Sequence, residues 1–178
     1  MDIGRSDRDD FDQCRIGVSA DVSLEAVDGG FALVLEGVAR GLAREGAIVI
    51  VHGRNKTKTE QVAHDIISQG GRAYAVLGDL TNEDEVQRLV DEAQAFGKPV
   101  EIVINNAGGS GQTEDWTTTR SQTWALGYDR NVLAAVRITS CLLPSMRRAK
   151  WGRIVNISSL AALMPHRRDQ TMERLRLP

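Results

Sequence analysis

Residues 100–109, which read V-E-I-V-I-N-N-A-G-G, decide the fold of this chain, and their first half is typical of a buried parallel strand. Asn105 and Asn106 then offer amide donors and acceptors. Ala107 and Gly108 remove side-chain bulk, so that a flat ligand or another backbone can come close. Ligands of open parallel sheets bind outside the carboxyl ends of the strands, so this stretch predicts a strand that leads into a ligand site. A strand followed by an ordinary polar turn is the alternative.

Apolar runs and helical periodicities alternate on both sides of this stretch. Further strands are predicted at 47–51, 72–77 and 153–157, of which 47–51 and 153–157 should be buried, and helices at 32–45, 57–69, 82–96 and 122–148. A first strand is predicted at 15–20 or, alternatively, at 31–35. Pro144 should kink or end the last helix. Strands and helices that alternate at short spacing predict parallel crossovers, and therefore an α/β fold with a doubly wound parallel sheet of at most five strands.

The composition sets limits on the classes of function. The chain has 178 residues, which suits one domain, and a net charge of −2, which gives no overall attraction to nucleic acid or membrane. Cys14 and Cys141 are the only cysteines and the three histidines are scattered, so neither a disulfide framework nor a metal site is predicted. No apolar run approaches the ~20 residues of a membrane span, and the acidic residues 1–13 do not resemble a secretory signal. We expect a cytoplasmic protein with no nucleic-acid or membrane partner.

The phrase Asn-Asn-Ala-Gly at 105–108 resembles a motif of the short-chain dehydrogenase/reductase family. Four other motifs fit the same family in the right order: Gly53-Arg54-Asn55, Asp79-Leu80, Asn131-Val132 and Asn156-Ile157-Ser158-Ser159. The resemblance covers about 36–165. The resemblance implies a Rossmann-like sheet and an NADP-linked oxidoreductase that moves hydride to or from a small carbonyl or alcohol substrate. Together with the polar, acidic composition of the first residues, it divides the chain into an N-terminus expected to be disordered (1–14), a partial Rossmann-like domain (15–165) and a basic tail outside the family pattern (166–178).

Several residues are candidates for cofactor binding. Arg54 follows a strand by three residues, where the ribose of a dinucleotide would lie, and an arginine there accommodates a 2′-phosphate. The alternative is a solvated surface arginine. By resemblance, Asp79 accepts a hydrogen bond from the adenine amine and Leu80 packs on the ring, whereas an acidic loop residue before a helix is the alternative. Asn105, Ala107 and Gly108 complete the predicted cofactor set.

Two residues are candidates for catalysis. Asn131 is predicted to be a buried amide in the middle of a helix that faces the sheet, and a buried amide must be hydrogen-bonded. By resemblance, it holds a water of a proton relay; the alternative is a satisfied polar residue in the core. Ser159 matches the family's serine, whose hydroxyl polarises the substrate carbonyl, and its neighbour Ser158 is the second choice. A helix cap or turn is the alternative for either serine.

The family pattern breaks at the amino end. The family has Thr-Gly-x-x-x-Gly-x-Gly between its first strand and first helix, and these glycines let the backbone approach the pyrophosphate. Here the matching region reads D-G-G-F-A-L-V-L-E-G. Either Gly29 and Gly30 begin the motif and bulky residues replace its later glycines, or residues 31–35 form the strand and the loop is missing. Both interpretations predict weak NADPH binding.

The pattern also breaks at the carboxyl end. The family's general acid is a tyrosine in Tyr-x-x-x-Lys, about a dozen residues after the serine, and proton transfer needs such a group. Tyr74 and Tyr128 are the only tyrosines, and the last lysine is Lys150. Tyr128 is a poor substitute, three residues before Asn131 on the same helix. We expect the sheet to lack the family's C-terminal strands; shifted reading frames at both ends would explain these breaks.

Three hypotheses for function follow. The first is an NADP-linked oxidoreductase of the short-chain family, whose catalysis is in doubt because Tyr-x-x-x-Lys is absent. The second is a non-catalytic remnant of that fold that binds nucleotide weakly or serves as an interaction module, with the long helix 122–148 as a surface for homo-oligomers. The third is an unrelated doubly wound binding protein such as a flavodoxin or a response regulator. It lacks support because the sequence has no phosphate loop for flavin and no acidic cluster after the first strand for a metal.

Overall fold

The computed structural model describes residues 15–19, 30–96, 99–109 and 118–158. The strands are β1 (Arg15–Ser19), β2 (Ile48–Gly53), β3 (Arg72–Leu77), β4 (Ile102–Asn105) and β5 (Arg153–Asn156). The helices are α1 (Gly30–Arg44), α2 (Lys56–Ser68), α3 (Glu83–Ala95), α4 (Ser121–Tyr128) and α5 (Ala134–Ala149). A π-helical segment, Asp129–Leu133, joins α4 to α5 and is called the π segment below.

The five strands form one parallel sheet in the order β3-β2-β1-β4-β5. β1 lies at the centre, where Gly17 is level with Ile50 of β2 on one side and with Val103 of β4 on the other. Starting from β1, the chain therefore adds β2 and β3 on one side of the sheet and then β4 and β5 on the other side. This arrangement confirms the predicted doubly wound α/β fold.

The sheet separates two apolar cores because successive side chains of a strand point to opposite faces. Val49 and Val51 of β2 face α1 and α2, together with Ala43 and Ile66 of those helices. Ile50, between the two valines, faces the opposite core. That second core contains residues of α3 and α5, among them Val86, Leu89, Val90, Ile138 and Leu142. β2 is accordingly buried along its whole length, as its uninterrupted apolar run predicts.

Asparagine side chains fix the start of two helices. The Asn55 side chain accepts a hydrogen bond from the Lys58 amide at 3.1 Å, and the Asn82 side chain accepts one from the Glu85 amide at the same distance. Such caps satisfy amides that have no partner within the helix and contribute about 1 kcal/mol each. In α3 the acidic first turn adds a favourable interaction with the helix dipole.

The structure corrects two predictions about element positions. The first strand lies at Arg15–Ser19, and residues 31–35 belong to α1, so the alternative placement of that strand is wrong. The predicted helix 122–148 is divided by the π segment, and Pro144 does not end it, since α5 continues to Ala149. The helix ends where Lys150 adopts a left-handed conformation with φ of 55°.

β5 is the outermost strand, and its predicted burial is wrong. All four of its residues are exposed, with 42% of Ile154 and 40% of Val155 accessible to solvent. Within the described residues, β5 pairs with β4 alone, so one edge carries backbone groups without a strand partner. An uncovered apolar edge of this kind promotes strand pairing between molecules.

We therefore expect Ile154→Lys to reduce concentration-dependent association of the chain, because a charge on an edge strand opposes pairing. Ile67→Lys is the matched control, since Ile67 is an exposed isoleucine on α2, away from the edge. Sedimentation velocity over a range of concentrations measures the effect. Equal behaviour of the two variants would show that the edge is not the site of association.

Candidate nucleotide-binding edge

The carboxyl ends of the parallel strands bring the predicted cofactor residues to one edge of the sheet. Arg54 follows β2, Asp79 follows β3, and Asn105 ends β4. β2 pairs with β3, and β1 connects β2 to β4, so these residues follow one another along the same edge. In open parallel sheets, this edge is where ligands bind.

Asp79 is held in a fixed position as a carboxylate. Its Oδ1 accepts hydrogen bonds from the Thr81 amide at 2.9 Å and from the Thr81 hydroxyl at 2.8 Å, while its own amide donates to Glu85 at 2.8 Å. Partial burial alone would raise the pKa of Asp79. The two bonds from Thr81 and the positive charges of Arg54 and Arg130 outweigh that effect, so the pKa of Asp79 lies below its usual value. The carboxylate is therefore ionised at neutral pH and available as an acceptor.

The Leu80 side chain is part of the second apolar core. Only 5% of it is exposed, and it lies among the apolar residues of the second core together with Val76 and Leu89. Its carbonyl oxygen accepts a hydrogen bond from Arg137 Nη1 at 3.3 Å. Packing of Leu80 on an adenine ring, as the family resemblance implies, would require this side chain to leave the core or to be approached at its rim.

Asn131 joins the π segment to the loop after β4. Its Oδ1 accepts from the Gly109 amide at 2.8 Å, and its Nδ2 donates to the carbonyls of Gly109 at 3.1 Å and Gly127 at 2.8 Å. A Cβ on Gly108 would lie only 2.5 Å from Asn131 Oδ1, whereas one on Gly109 would meet nothing within 4 Å. The absence of a side chain at Gly108 is what lets the amide reach the loop backbone.

The prediction that Asn131 is a buried amide facing the sheet is wrong. Asn131 is exposed, and its amide group is hydrogen-bonded to backbone groups of Gly109 and Gly127. In the π segment the Ala134 amide donates to the Asp129 carbonyl, five residues earlier, which inserts an extra residue in the turn. Single π turns of this kind are frequent at functional sites.

Asn105 connects three elements at the end of β4. Its Nδ2 donates to Asn156 Oδ1 of β5 at 2.9 Å and to Thr139 Oγ1 of α5 at 3.2 Å. Its backbone carbonyl accepts from the Ile157 amide at 2.9 Å. Asn105 Oδ1 is buried and has no hydrogen-bond partner in the described part of the chain. Asn105 thus aligns the ends of β4 and β5, while Ala107, half-buried beyond it, packs against the second core.

The remaining predicted catalytic residue is not part of this geometry. Ser159 lies outside the described residues, as do residues 1–14, the region before Gly30 where the glycine motif would lie, and the tail 166–178. Ser158 is described and exposed. Tyr128 is exposed at the end of α4.

Sequence reasoning missed three charged residues that border this edge. Arg130 and Asp129 lie in the π segment, and Arg137 of α5 pairs with Asp129 at 2.6 Å. Arg130 directly precedes Asn131, which is a signal that could have drawn attention to it. The pairing of Asp129 with Arg137, eight residues apart, depends on the path of the π segment and has no simple sequence signature.

The described residues carry no group of three or more His, Cys, Asp or Glu side chains arranged to hold a metal ion. None of the helices in the described ranges combines the length and the apolar character that crossing a membrane requires.

Comparison with known proteins places this geometry in a family. The family model described as short chain dehydrogenase matches residues 29–170. The chain belongs to the short-chain dehydrogenase family. Ketoacyl reductase HetN of a Nostoc species is 36% identical over 126 residues, which cover 70% of this chain and 43% of the relative. The 3-oxoacyl-[acyl-carrier-protein] reductase of a Synechocystis species is 31% identical over 150 residues, covering 83% of this chain and 59% of the relative.

Solved structures of the same family share the fold. A short-chain type dehydrogenase/reductase from Mycobacterium ulcerans superimposes with a TM-score of 0.73 at 29% identity, covering 91% of this chain and 59% of that one. A short-chain dehydrogenase/reductase from Burkholderia xenovorans gives a TM-score of 0.74 at 25% identity, with 86% and 59% covered. The chain spans about half the length of the curated relatives it matches, 43% and 59% for the two reductases above.

The contact between Gly108 and Asn131 generates a testable prediction. Gly108→Ala should displace the Asn131 amide and release the Gly109 backbone, at a cost of about 1–3 kcal/mol of unfolding free energy, as for other overpacked sites. Gly109→Ala is the matched control and should cost less, because nothing lies within 4 Å of the added Cβ. Urea unfolding measures the costs. If the two variants proved equally stable, the contact would not constrain the loop.

Proposed function

We propose that the carboxyl edge of this sheet is the NADP(H) site of a short-chain dehydrogenase/reductase that acts on a small carbonyl or alcohol substrate. The observation that carries this proposal is that Arg54, Asp79 and the Gly108–Gly109 backbone lie along one edge of the sheet. Asn131 holds that backbone through the Gly109 amide. When bound, NADP(H) supplies the hydride. The residues of this chain bind and orient the nucleotide.

The residues present fit the nucleotide in three respects. Arg54 is exposed and positively charged at the end of β2, where a ribose 2′-phosphate is recognised in sheets of this kind. Asp79 is a fixed, ionised acceptor suited to the exocyclic amine of adenine. Among the described residues, nothing lies within 4 Å of a Cβ placed on Gly109, which favours the approach of a flat group to the loop after β4.

The relatives support the class of substrate. Two of them are named ketoacyl reductase and 3-oxoacyl-[acyl-carrier-protein] reductase, and both names describe reduction of a carbonyl. The proposed substrate is therefore a carbonyl compound or the corresponding alcohol. In the proposed roles, Ser159 polarises the carbonyl and Asn131 belongs to the proton relay.

We further propose that residues 1–178 by themselves bind NADPH weakly and do not catalyse reduction. No Tyr-x-x-x-Lys follows Ser159, because residues 159–178 contain neither tyrosine nor lysine. General acid–base catalysis contributes about 10²–10⁴-fold to rates, and this contribution requires a positioned acid. Tyr128 does not replace it, since its exposed side chain lies at the end of α4 and no described contact joins it to Asn131.

A second candidate function is an interaction module, as in the predicted homo-oligomer through the helix 122–148. The observation that favours it is a set of large apolar side chains exposed along α4, the π segment and α5, namely Trp124, Leu126, Tyr128, Val132 and Val136. Exposed apolar patches on a helix commonly mark protein contacts. This candidate is compatible with nucleotide binding, because Arg54 and Asp79 follow strands β2 and β3 and belong to other elements.

The cofactor preference is tested with Arg54→Ala. NADPH should bind more tightly than NADH to the unchanged chain, and the variant should lose that preference, because the charge-assisted bonds to the 2′-phosphate are removed. Such bonds are worth about 1.5–3 kcal/mol, or roughly 10–150-fold in affinity. Fluorescence titration with both nucleotides measures the two affinities. Arg44→Ala is the control, since Arg44 is an exposed arginine of α1. Tighter binding of NADH, or a preference that survives in Arg54→Ala, would remove Arg54 from the site.

The catalytic proposal is tested by measuring NADPH oxidation with a 3-oxoacyl thioester or a simple ketone. We expect no reduction above the background, because the general acid and its lysine are missing. Turnover that disappears in Ser159→Ala would contradict this and would point to Tyr128 as a displaced acid. Turnover that is unchanged in Ser159→Ala would come from a contaminating enzyme, and repeated purification should remove it.

A further inference from the structure

We infer that Arg137 is a positioning residue that sets the distance between the two loops of the proposed nucleotide site, the one at Asp79–Leu80 and the one at Gly108–Gly109. This inference rests on the proposed function, since it concerns the same site. Arg137 belongs to α5 and acts through the π segment. It is not placed in contact with the nucleotide.

The contacts of Arg137 join three elements. Its Nη1 donates to the Leu80 carbonyl at 3.3 Å, and its Nη2 donates to Asp129 Oδ1 at 2.6 Å. Its Nε lies 3.9 Å from Glu83 Oε1 in the first turn of α3. Only 19% of its side chain is exposed, so the guanidinium is largely removed from water where it makes these contacts. Charge-assisted hydrogen bonds in such surroundings hold Asp129 and the Leu80 carbonyl more strongly than a surface ion pair would, whereas the Glu83 side chain is 84% exposed.

The bond to Asp129 matters because Asp129 begins the π segment. Two residues further along, Asn131 holds both the amide and the carbonyl of Gly109. The Asp129 carbonyl also accepts the amide of Ala134, which closes the π turn around Asn131. Arg137 therefore fixes Asp129, the first residue of the π segment. Asn131, the third residue of the same segment, fixes the loop after β4.

The bond to Leu80 completes the connection. The Leu80 carbonyl directly follows Asp79, whose carboxylate is the proposed adenine acceptor. One guanidinium thus contacts the loop after β3 with one nitrogen and the π segment with another. The planar fork of arginine can reach both partners at once, whereas the single ammonium of lysine cannot keep both contacts.

The structure offers a matched control in Arg40. This residue of α1 bridges Glu36 and Asp65, and 21% of its side chain is exposed, close to the value for Arg137. Its partners lie on α1 and α2, on the face of the sheet opposite to α3 and α5. Arg40→Met and Arg137→Met remove comparable ion pairs, but only the second should affect the two loops.

The test compares Arg137→Met, Arg137→Lys and Arg40→Met at a temperature where all three are folded. Amide hydrogen exchange measured by NMR should become about tenfold faster at Gly109 in Arg137→Met and remain unchanged in Arg40→Met. NADPH affinity should fall about tenfold in Arg137→Met, within the range seen for residues that act on a site without touching its ligand. Arg137→Lys should recover thermal stability through Asp129 but not the NADPH affinity, because the Leu80 contact stays broken.

The outcomes separate this inference from the proposed function. If the unchanged chain fails to bind NADPH, the proposed function is wrong, and Gly109 exchange still tests whether Arg137 positions the loop. If Gly109 exchange responds equally to Arg137→Met and Arg40→Met, Arg137 has only a general stabilising role and the inference is wrong. Full recovery of NADPH affinity in Arg137→Lys would likewise overturn it.

Discussion

The parallel pairing of β1 with β2 on one side and β4 on the other is the constraint on which the rest of this structure depends. Because the chain extends the sheet first toward β3 and then toward β5, the helices fall on two faces and form two separate cores. The same pairing brings the carboxyl ends of all five strands to one edge. Every candidate cofactor residue lies at that edge because of strand direction, since their positions in the sequence are far apart.

The π segment carries the side chain that joins this part of the helix to the loop after β4. Asn131, its third residue, accepts a hydrogen bond from the Gly109 amide and donates one to the Gly109 carbonyl. The contact between Asn131 and Gly109 requires a glycine at 108, because a Cβ on Gly108 would occupy the space of Asn131 Oδ1. Asn131, Gly108 and the π turn therefore depend on one another, and Arg137 holds the beginning of that turn through Asp129.

The family match of this chain is more extensive than its match to the family's catalytic residues. The match to the short-chain dehydrogenase family extends over residues 29–170, and the sheet order agrees with the resemblance of the motifs. The residues proposed to face the nucleotide lie at the ends of β2, β3 and β4. The tyrosine and lysine that complete proton transfer in the family have no counterpart in residues 159–178. The fold therefore supports a nucleotide site more directly than it supports turnover.

The sequence by itself determined the strand and helix pattern, the fold class and the edge that holds the candidate residues, because apolar periodicity and glycine positions are local properties. It also predicted Arg54, Asp79 and Asn131 as candidate site residues through short motifs. Only the tertiary structure decided that Leu80 belongs to the core and that Asn131 is exposed and hydrogen-bonded to the Gly109 backbone. These features depend on which elements lie next to each other and on one extra residue in a helical turn. Contacts between residues far apart in the chain, such as that of Arg137 with Leu80, leave no periodic signal in the sequence.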